Sequence, residues 1–434
     1  ETICEGKKMP AGKTAVRFAA PFALALMIAA CGTNEEPAPE PAAEAPETDN
    51  NYADAMRSRD NEAAAPDAVP DAQERPVMQA QVILDRMGFS PGVIDGEMGM
   101  STSNALEAFQ EANGLDQTGE LDDATRAALL GTTALADDGD EAEAQRESAT
   151  PMPTSTRPGS RAVPATRVVT IPEDFAVGRF EEIPDDPAKQ AELSRMGYES
   201  LDEKLAERFH TTVEVLKMLN TPEGAQTDEA EGETGTADTV DDPNPDDDVT
   251  PGPASHFRAG QKIRVPNIGA DFIDAQADLD SDWRDTLRDL GVGSDQPQAA
   301  RIVVDKSDST LIAYDKAGKI IGAFTVTTGS EHDPLPLGDW KITGVAHNPP
   351  FSYDPSLFWD VPDSEEPQKL PPGPNGPVGV VWIDLSKEHY GIHGTPEPET
   401  IGRAQSHGCV RLTNWDAARL AQMVSQSTEV HFQQ

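Results

Sequence analysis

Apolar side chains along the 434 residues are unevenly distributed, with three long stretches that carry a core pattern and other segments that contain few large apolar groups. Two of those segments, 31–75 and 132–166, are rich in Pro, Ala, Glu and Asp. Because such composition cannot bury a core, both are predicted to be disordered and acidic, the first as a tether and the second as a linker. The apolar stretches are 76–131, 190–267 and 299–434. The pattern therefore predicts a multidomain chain with three folded modules.

The first module, 76–131, carries the spacing of amphipathic helices. Two helical segments are separated by turn dipeptides at 91–92 and 95–96, and a third helix is predicted to start at Thr125. The module is therefore predicted to be a small three-helix domain. The residues that carry the helical period are Val82, Ile83, Met87 and Phe89 in the first helix, and Ala105, Leu106 and Phe109 in the second.

The middle module, 190–267, contains two short helical runs, 201–209 and 213–220, in a strand–helix–helix–strand (βααβ) order. An insert at 223–255 is rich in Glu, Asp and Pro. We expect it to form a disordered surface loop, since the cost of closing a loop grows only slowly with its length. The following segment, 271–290, has amphipathic spacing and is predicted to be a solvated helical connector.

The C-terminal module, 299–434, consists of short alternating strands with Gly and Pro at the turns. Its one clear helical run is 415–423, near the end. This pattern predicts a mostly-β sandwich or open barrel.

Charge and cysteine content narrow the set of partners. The formal net charge of −43 argues against nucleic acid and against anionic membrane surfaces as electrostatic partners. The three cysteines are Cys4, Cys31 and Cys409. Cys409 is a candidate nucleophile, Cys31 directly follows a predicted export signal, and Cys4 precedes the predicted cleavage point. No disulfide framework is therefore expected.

The first thirty residues, 1–30, have the pattern of an export signal, with Met9 as a candidate translation start. Basic residues precede an apolar run, 18–30, that is too short to span a bilayer comfortably. The run ends Ala-Ala-Cys31-Gly32, which resembles the bacterial lipoprotein signal. The resemblance implies lipidation of Cys31, attachment to a membrane, and, because residue 32 is not Asp, a periplasmic location at the outer membrane of a Gram-negative bacterium.

Candidate chemistry is concentrated in 390–412, which reads YGIHGTPEPETIGRAQSHGCVRL. Cys409 is the candidate nucleophile, because a thiol with an ordinary pKa of about 8.5 needs a neighbouring imidazole to react near neutral pH. His407, two residues earlier, would share its strand face, whereas His393 would arrive from a separate strand.

The order His393, twelve residues, then Ser-His-Gly-Cys-Val-Arg-Leu resembles the signature of the L,D-transpeptidase catalytic domain. This family cross-links peptidoglycan with a cysteine nucleophile. The resemblance implies that Cys409 attacks a tetrapeptide stem between the diamino acid at position three and the terminal D-alanine. It also implies His393 as general base and later general acid, with no cofactor and no metal. Upstream segments that continue the resemblance are 301–305, 311–315, 324–330, 334–338 and 371–379.

Further roles follow from the same resemblance and from side-chain chemistry. The carbonyl of Gly394 would orient the His393 ring. His407, also a candidate catalytic residue, would shape the site and share the proton transfer. Backbone N–H groups of Gly408 and Cys409 are candidates for an oxyanion hole. Arg411 is expected to bind a stem carboxylate bidentately. Additional candidate substrate contacts are Ser406, Tyr390 and Trp382.

The two smaller modules also carry resemblances. Within 76–131, GFSPGVIDGEMG followed by ALEAFQ and TGELDDAT resembles the three-helix peptidoglycan-binding domain, which makes peptidoglycan the expected partner. The 190–267 module, ending Gly-x-x-Ile-x-Val-Pro, resembles a LysM wall-binding module. It departs from that pattern through the 223–255 insert, so a LysM-like spacer without a ligand stays open.

Alternatives to a cross-linking enzyme remain. The acyl group could pass to a second stem, giving a 3→3 cross-link, to a lysine of a wall-anchored lipoprotein, or to water, as in a carboxypeptidase or endopeptidase of the same fold. A non-enzymatic wall-binding tether is a further possibility, as is a zinc site built from His389, His393, His407 and Cys409. The segment 348–376, with its aromatic residues and prolines, is predicted to be either a lid that excludes water or an irregular surface loop.

Overall fold

The computed structural model describes residues 71, 73–136, 163–221, 255–269, 273–330, 332–357, 366–404, 406 and 408–434. The predicted signal, almost all of the tether and nearly all of the acidic insert lie outside the described residues, as do Cys31 and His407. Among the described helices, none has the length and apolarity needed to cross a membrane.

The first module contains the three predicted helices. They are α1 (Pro76–Arg86), α2 (Met100–Ala112) and α3 (Asp123–Ala136). Helix α1 begins with proline, which suits a first turn because the missing N–H would have no intrahelical partner there. Between α2 and α3, the buried Gln110 side-chain oxygen accepts from the backbone N–H groups of Thr118 and Gly119, at 2.8 and 3.0 Å, and so fixes the turn.

The middle module is a two-stranded sheet with helices between its strands. Strand β1 (Thr166–Thr170) pairs antiparallel with β2 (Lys262–Pro266). The first strand therefore lies upstream of residue 190 and overlaps the end of the predicted linker. Only Val168 and Val169 of β1 are apolar, so its pattern was too short to detect. The helices in chain order are α4 (Glu173–Ala176), α5 (Pro187–Gln190), α6 (Leu201–Arg208) and α7 (Val213–Asn220).

The C-terminal module is mostly β, as predicted. Its strands are β3 (Arg301–Asp305), β4 (Thr310–Tyr314), β5 (Ile320–Thr325), β6 (Gly338–His347), β7 (Phe351–Tyr353), β8 (Gln368–Leu370), β9 (Val381–Leu385), β10 (Gly391–His393), β11 (Val410–Arg411) and β12 (Glu429–Gln433). The main sheet has eight of them, in the order β11-β10-β9-β6-β12-β3-β4-β5, with parallel pairing in β10/β11 and β12/β3. A short hairpin, β7/β8, lies outside this sheet.

Helix α8 (Ser281–Leu290) corrects the prediction of a solvated connector at 271–290. Trp283, Leu287 and Leu290 are buried in the core of the C-terminal module. The helix starts at residue 281, where the Asp280 side chain accepts from the backbone N–H of Asp282 at 2.9 Å. The prediction was wrong because the apolar face of this helix packs against the sheet instead of facing solvent. A last helix, α9 (Asn414–Met423), packs against the same core.

The first module is attached directly to the edge of the main sheet. Ser90 N–H donates to the Ala323 carbonyl at 2.8 Å, and Ala323 N–H donates to the Gly88 carbonyl at 2.9 Å. Phe89 shares a buried cluster with Ile320 and Ala323 of β5. The segment 88–90 thus covers the edge strand β5, which would otherwise expose unpaired backbone groups.

A buried polar network joins all three modules. Asp85 of α1 accepts from Arg419 of α9 at 3.3 Å and bonds His210, just after α6, at 3.1 Å. Ser90 donates to Asp416 of α9 at 2.7 Å. Burial raises the pKa of Asp85, but the charges of Arg419 and His210 outweigh it and hold that pKa well below its usual range.

Candidate active site

The strand pair β10/β11 brings the candidate catalytic residues together. The strands are parallel, with Ile392 opposite Val410 and His393 opposite Arg411. Cys409 precedes β11 by one residue, level with Gly391. Because side chains alternate along a strand and opposed residues share a face, Cys409, Arg411 and His393 lie on one face of the sheet.

His393 is held in one tautomer. Its Nδ1–H donates to the carbonyl of Gly394 at 2.7 Å, which leaves Nε2 free to accept a proton. The side chain is only 4% exposed, and its ring stacks on Trp382 with centroids 5.5 Å apart. Burial, reinforced by the charge of Arg411, lowers the pKa of His393 to about 3, so the imidazole is neutral near pH 7.

Cys409 is a protonated thiol in the resting site. Burial raises the pKa of the Cys409 thiol, while the Gly391 backbone N–H and the charge of Arg411 oppose that rise. Its Sγ–H donates to the His389 carbonyl at 3.8 Å. The neutral thiol and the neutral imidazole lie on the same face of the sheet, so Cys409 would have to lose its proton during attack to act as the predicted nucleophile.

The turn that carries Cys409 is fixed by Ser406 and Gly408. The Ser406 hydroxyl donates to the Cys409 carbonyl at 2.6 Å, and its backbone pairs with Thr328 and Ser330. Gly408 has φ +102°, and a Cβ there would lie 2.7 Å from the Tyr390 ring. Ser406 is buried and braces this turn, and its predicted contact with substrate stays a prediction.

The guanidinium of Arg411 has an unsatisfied hydrogen-bond donor, Nε, among the described residues. Its Nε is buried, and no hydrogen-bond partner for it occurs among the described residues. Burial lowers the pKa of Arg411, while Cys409 and Glu397 oppose that effect. A buried guanidinium N–H without a partner is costly, so it favours a ligand that brings an acceptor.

Trp382 and Tyr390 border the same pair of strands. Trp382 stacks on His393, and its Nε1–H donates to Asp384 at 3.3 Å. The Tyr390 ring lies against Gly408 under the ammonium of Lys387, 5.6 Å from the ring centroid. Both candidates therefore lie beside the site, Trp382 partly as a packing partner of the imidazole.

Some predicted features lie wholly or partly outside the described residues. His407 is one of them, so its role stays a prediction. In the part of the chain that the structure describes, no three His, Cys, Asp or Glu side chains are grouped as metal ligands would be. Of the predicted lid, 348–376, the β7/β8 hairpin is described and residues 358–365 are not.

Two residues next to the site were missed from the sequence. Asn414 lies at the first position of α9, buried against the backbone of Gly394. Glu207 of α6 reaches it from the middle module, and Asn414 Nδ2 donates to Glu207 Oε1 at 3.0 Å. The position of Asn414, five residues after Cys409, was a usable signal, but no local pattern pointed to Glu207.

Comparison with known proteins identifies the family of the C-terminal module. A family model for the L,D-transpeptidase catalytic domain matches residues 299–432, and one described as "Putative peptidoglycan binding domain" matches residues 73–129. "Putative L,D-transpeptidase in ATP synthase subunits region ORF 5" of Fuscovulum blasticum is 30% identical over 148 residues, covering 34% of this chain and 73% of that protein. The chain belongs to the L,D-transpeptidase family.

Two Bacillus relatives match more strongly over shorter shares of their length. "Putative L,D-transpeptidase YkuD" of Bacillus licheniformis is 52% identical over 130 residues, which are 30% of this chain and 63% of that protein. Its namesake in Bacillus subtilis is 53% identical over 57 residues, which are 13% of this chain and 35% of that protein. The chain thus spans less than two thirds of either relative. The LysM resemblance of the middle module stays a prediction.

Proposed function

We propose that this chain is an L,D-transpeptidase that acts on peptidoglycan stem peptides through a thioacyl-enzyme at Cys409. The observation that carries the proposal is the state of His393. Its Nδ1–H donates to the Gly394 carbonyl, so the free Nε2 is a base, and the ring shares its strand face with the only cysteine beyond Cys31.

In the first step, the Cys409 sulfur attacks the carbonyl carbon of the diamino acid at position three of the stem. His393 Nε2 takes the thiol proton as the C–S bond forms, and the N–H groups of Gly408 and Cys409 stabilise the oxyanion. The C–N bond to the terminal D-alanine then breaks. His393 returns the proton to the departing amine, so D-alanine leaves and a thioester remains.

In the second step, an acceptor amine attacks the thioester and loses a proton to His393. The C–S bond breaks and the thiolate recovers that proton. The diamino acid of a second stem as acceptor would give a 3→3 cross-link, and a lysine of a wall lipoprotein would attach that protein. The Nε of Arg411 has no hydrogen-bond partner among the described residues, which supports recognition of a stem carboxylate in this site.

Binding to the wall is assigned to the first module, whose family match supports peptidoglycan as the partner. Anchoring at the outer membrane, in the periplasm, is assigned to lipidation of Cys31. Replacing Cys31 with Ser should move the protein from the membrane fraction to the soluble fraction. Membrane retention of that variant would remove this part of the proposal.

The test of function is product analysis. Purified enzyme with disaccharide-tetrapeptide should release D-alanine and form 3→3 dimers that mass spectrometry identifies. Cys409→Ala and His393→Ala should lose this activity, whereas His431→Ala, at a half-exposed histidine of β12 that pairs with Asp339, should keep it. Tripeptide alone, even with acceptor in excess, would indicate a hydrolase of the same fold. No turnover at all would leave a wall-binding tether.

A further inference from the structure

Asn414 is wedged against the backbone that holds the catalytic histidine. A Cβ added to Gly379 or to Gly394 would collide with Asn414 Oδ1, so the side chain packs directly against both chain segments. The carbonyl of that same Gly394 accepts from His393 Nδ1. A displacement of Asn414 would therefore move the group that sets the tautomer and direction of the imidazole.

The amide of Asn414 has one fixed orientation. Its Oδ1 accepts from the Val380 N–H at 3.2 Å, and its Nδ2 donates to the Pro374 carbonyl at 3.1 Å. The second Nδ2 hydrogen goes to Glu207 Oε1 at 3.0 Å. Because an amide offers two donors on nitrogen, removal of the Glu207 acceptor would leave one of them buried without a partner.

Glu207 belongs to α6 of the middle module and is itself held in place. Its side chain is 6% exposed, and the Tyr198 hydroxyl donates to Oε2 at 3.3 Å. Its Oε1 is thereby aimed across the boundary between the middle module and the catalytic module.

The middle module also forms hydrogen bonds with the loop that leads to Gly379. Met196 N–H donates to the Pro372 carbonyl at 2.9 Å, and Asn375 N–H donates to the Met196 carbonyl at 3.1 Å. Asn375 Nδ2 donates to Glu203 Oε1 at 2.7 Å. The backbone below the site is therefore held by this module at two separate places.

We propose that Glu207 is a positioning residue for the transpeptidase reaction: through Asn414 it fixes the Gly394 carbonyl, and through that carbonyl it fixes His393. The inference rests on the proposed function, and it gives the middle module a role in catalysis that is independent of glycan binding. Glu207 does not touch substrate and acts only through Asn414.

Glutamine is a conservative replacement for Glu207 because the buried carboxyl is mainly neutral. Burial raises the pKa of Glu207 to about 8, so the carboxyl is mainly protonated at pH 7. Glu207→Gln keeps the size, the neutral state and an acceptor oxygen for Asn414. Glu207→Leu removes the acceptor, and Glu207→Asp withdraws it by one methylene while keeping a carboxyl group.

The experiment compares these three variants with Asp289→Asn, a matched change at a half-buried carboxylate. Asp289 of α8 pairs with Lys204 of α6 at 3.2 Å. For transfer from the tetrapeptide, Glu207→Leu and Glu207→Asp should lower kcat roughly ten- to a hundredfold with KM within about twofold. Glu207→Gln and Asp289→Asn should stay within about threefold of the wild-type kcat.

A second measurement separates this inference from the proposed function. Alkylation of Cys409 by iodoacetamide at pH 7 should depend on His393 but requires no peptidoglycan. Its rate should fall in Glu207→Leu and Glu207→Asp and should not fall in Glu207→Gln. If the wild-type enzyme transfers nothing, the proposed function fails and the alkylation rates still decide the role of Glu207. Should Glu207→Leu not fold, the comparison of Glu207→Asp with Glu207→Gln decides it. Equal rates in those two variants, or an equal loss in Asp289→Asn, would overturn the inference.

Discussion

The ring of His210, in the middle module, stacks on the indole of Trp415, in the last helix of the catalytic module. The ring centroids are 5.0 Å apart and the planes are within 7° of parallel. His210 also bonds Asp85 of the first module and the Leu290 carbonyl of α8. One buried side chain therefore contacts elements from all three modules.

Loss of the His210 side chain should destabilise the folded protein. We expect His210→Gly to lower the free energy of unfolding by about 3 kcal/mol, because it leaves the buried Asp85 short of a partner. Glycine is chosen because His210 has φ +53°, where alanine would add backbone strain. Urea denaturation measures the effect. His256→Ala, at an exposed histidine of the same module, is the control and should change stability by less than about 0.5 kcal/mol; an equal loss there would contradict the account.

The edge pairing of the first module predicts a local change in hydrogen exchange. Ser90→Pro removes the N–H that donates to Ala323, so the amides of β5 should exchange faster while those of β3 stay protected. Ser90→Ala keeps that N–H and should leave β5 protected. Hydrogen–deuterium exchange with mass spectrometry reports both variants, and unchanged β5 exchange in Ser90→Pro would show that the pairing is dispensable.

The raised pKa of Glu207 should make the free energy of unfolding depend on pH, in a direction that follows from the shift. Its folded pKa is about 8, above the reference value of 4.5, so between these values the folded chain holds a proton that the unfolded chain has lost. Stability should therefore fall as pH rises through this window, by roughly 1 kcal/mol per pH unit. His393, whose pKa is lowered to about 3, works in the opposite direction but only below the reference value of 6.5.

The measurement for this prediction is denaturation between about pH 6.5 and 8, for the wild type and Glu207→Gln. The glutamine variant cannot release a proton, so its stability should fall less steeply over that window. The charges of Glu203 and Glu399 and the Tyr198 hydroxyl face Glu207 and are the same in both proteins. Parallel pH profiles would mean that Glu207 is already ionised at neutral pH.

The turn before Cys409 should make the reactivity of its thiol sensitive to substitution of Gly408. Gly408→Ala places a Cβ at φ +102° and against the Tyr390 ring, so the turn must shift and carry Cys409 with it. We expect alkylation of Cys409 to slow by about tenfold or more. Gly318→Ala is the matched control, since Gly318 has φ +79° in an open turn where a Cβ would meet no neighbour. Similar rates in both variants would argue against a fixed turn.

The parts of this fold that could be predicted from sequence are those with local determinants. Segments 301–305 and 311–315 were singled out by the family resemblance, and the structure pairs them as the antiparallel strands β3 and β4. Cys409 and His393 could be singled out as candidates because both fall within one short motif, 390–412. Each of these features depends on residues close in the chain.

The parts that could not be predicted depend on distant partners. Asn414 and Glu207 are 207 residues apart, and Arg419 and Asp85 are 334 apart, so neither pair leaves a pattern in any window of sequence. The burial of α8 was missed for a similar reason, because an amphipathic helix does not reveal which surface will cover it. These long-range contacts connect the three modules and hold the backbone around the candidate site in place.

The most direct test of the central claim is the intact mass of the enzyme during turnover. Mixed with disaccharide-tetrapeptide and stopped with acid, the wild type should gain the mass of the stem without its terminal D-alanine, and peptide mapping should place it on Cys409. The adduct should be absent in Cys409→Ala and should decay faster when acceptor amine is added. An adduct that persists in Cys409→Ala, or turnover without any adduct in the wild type, would contradict the thioacyl mechanism.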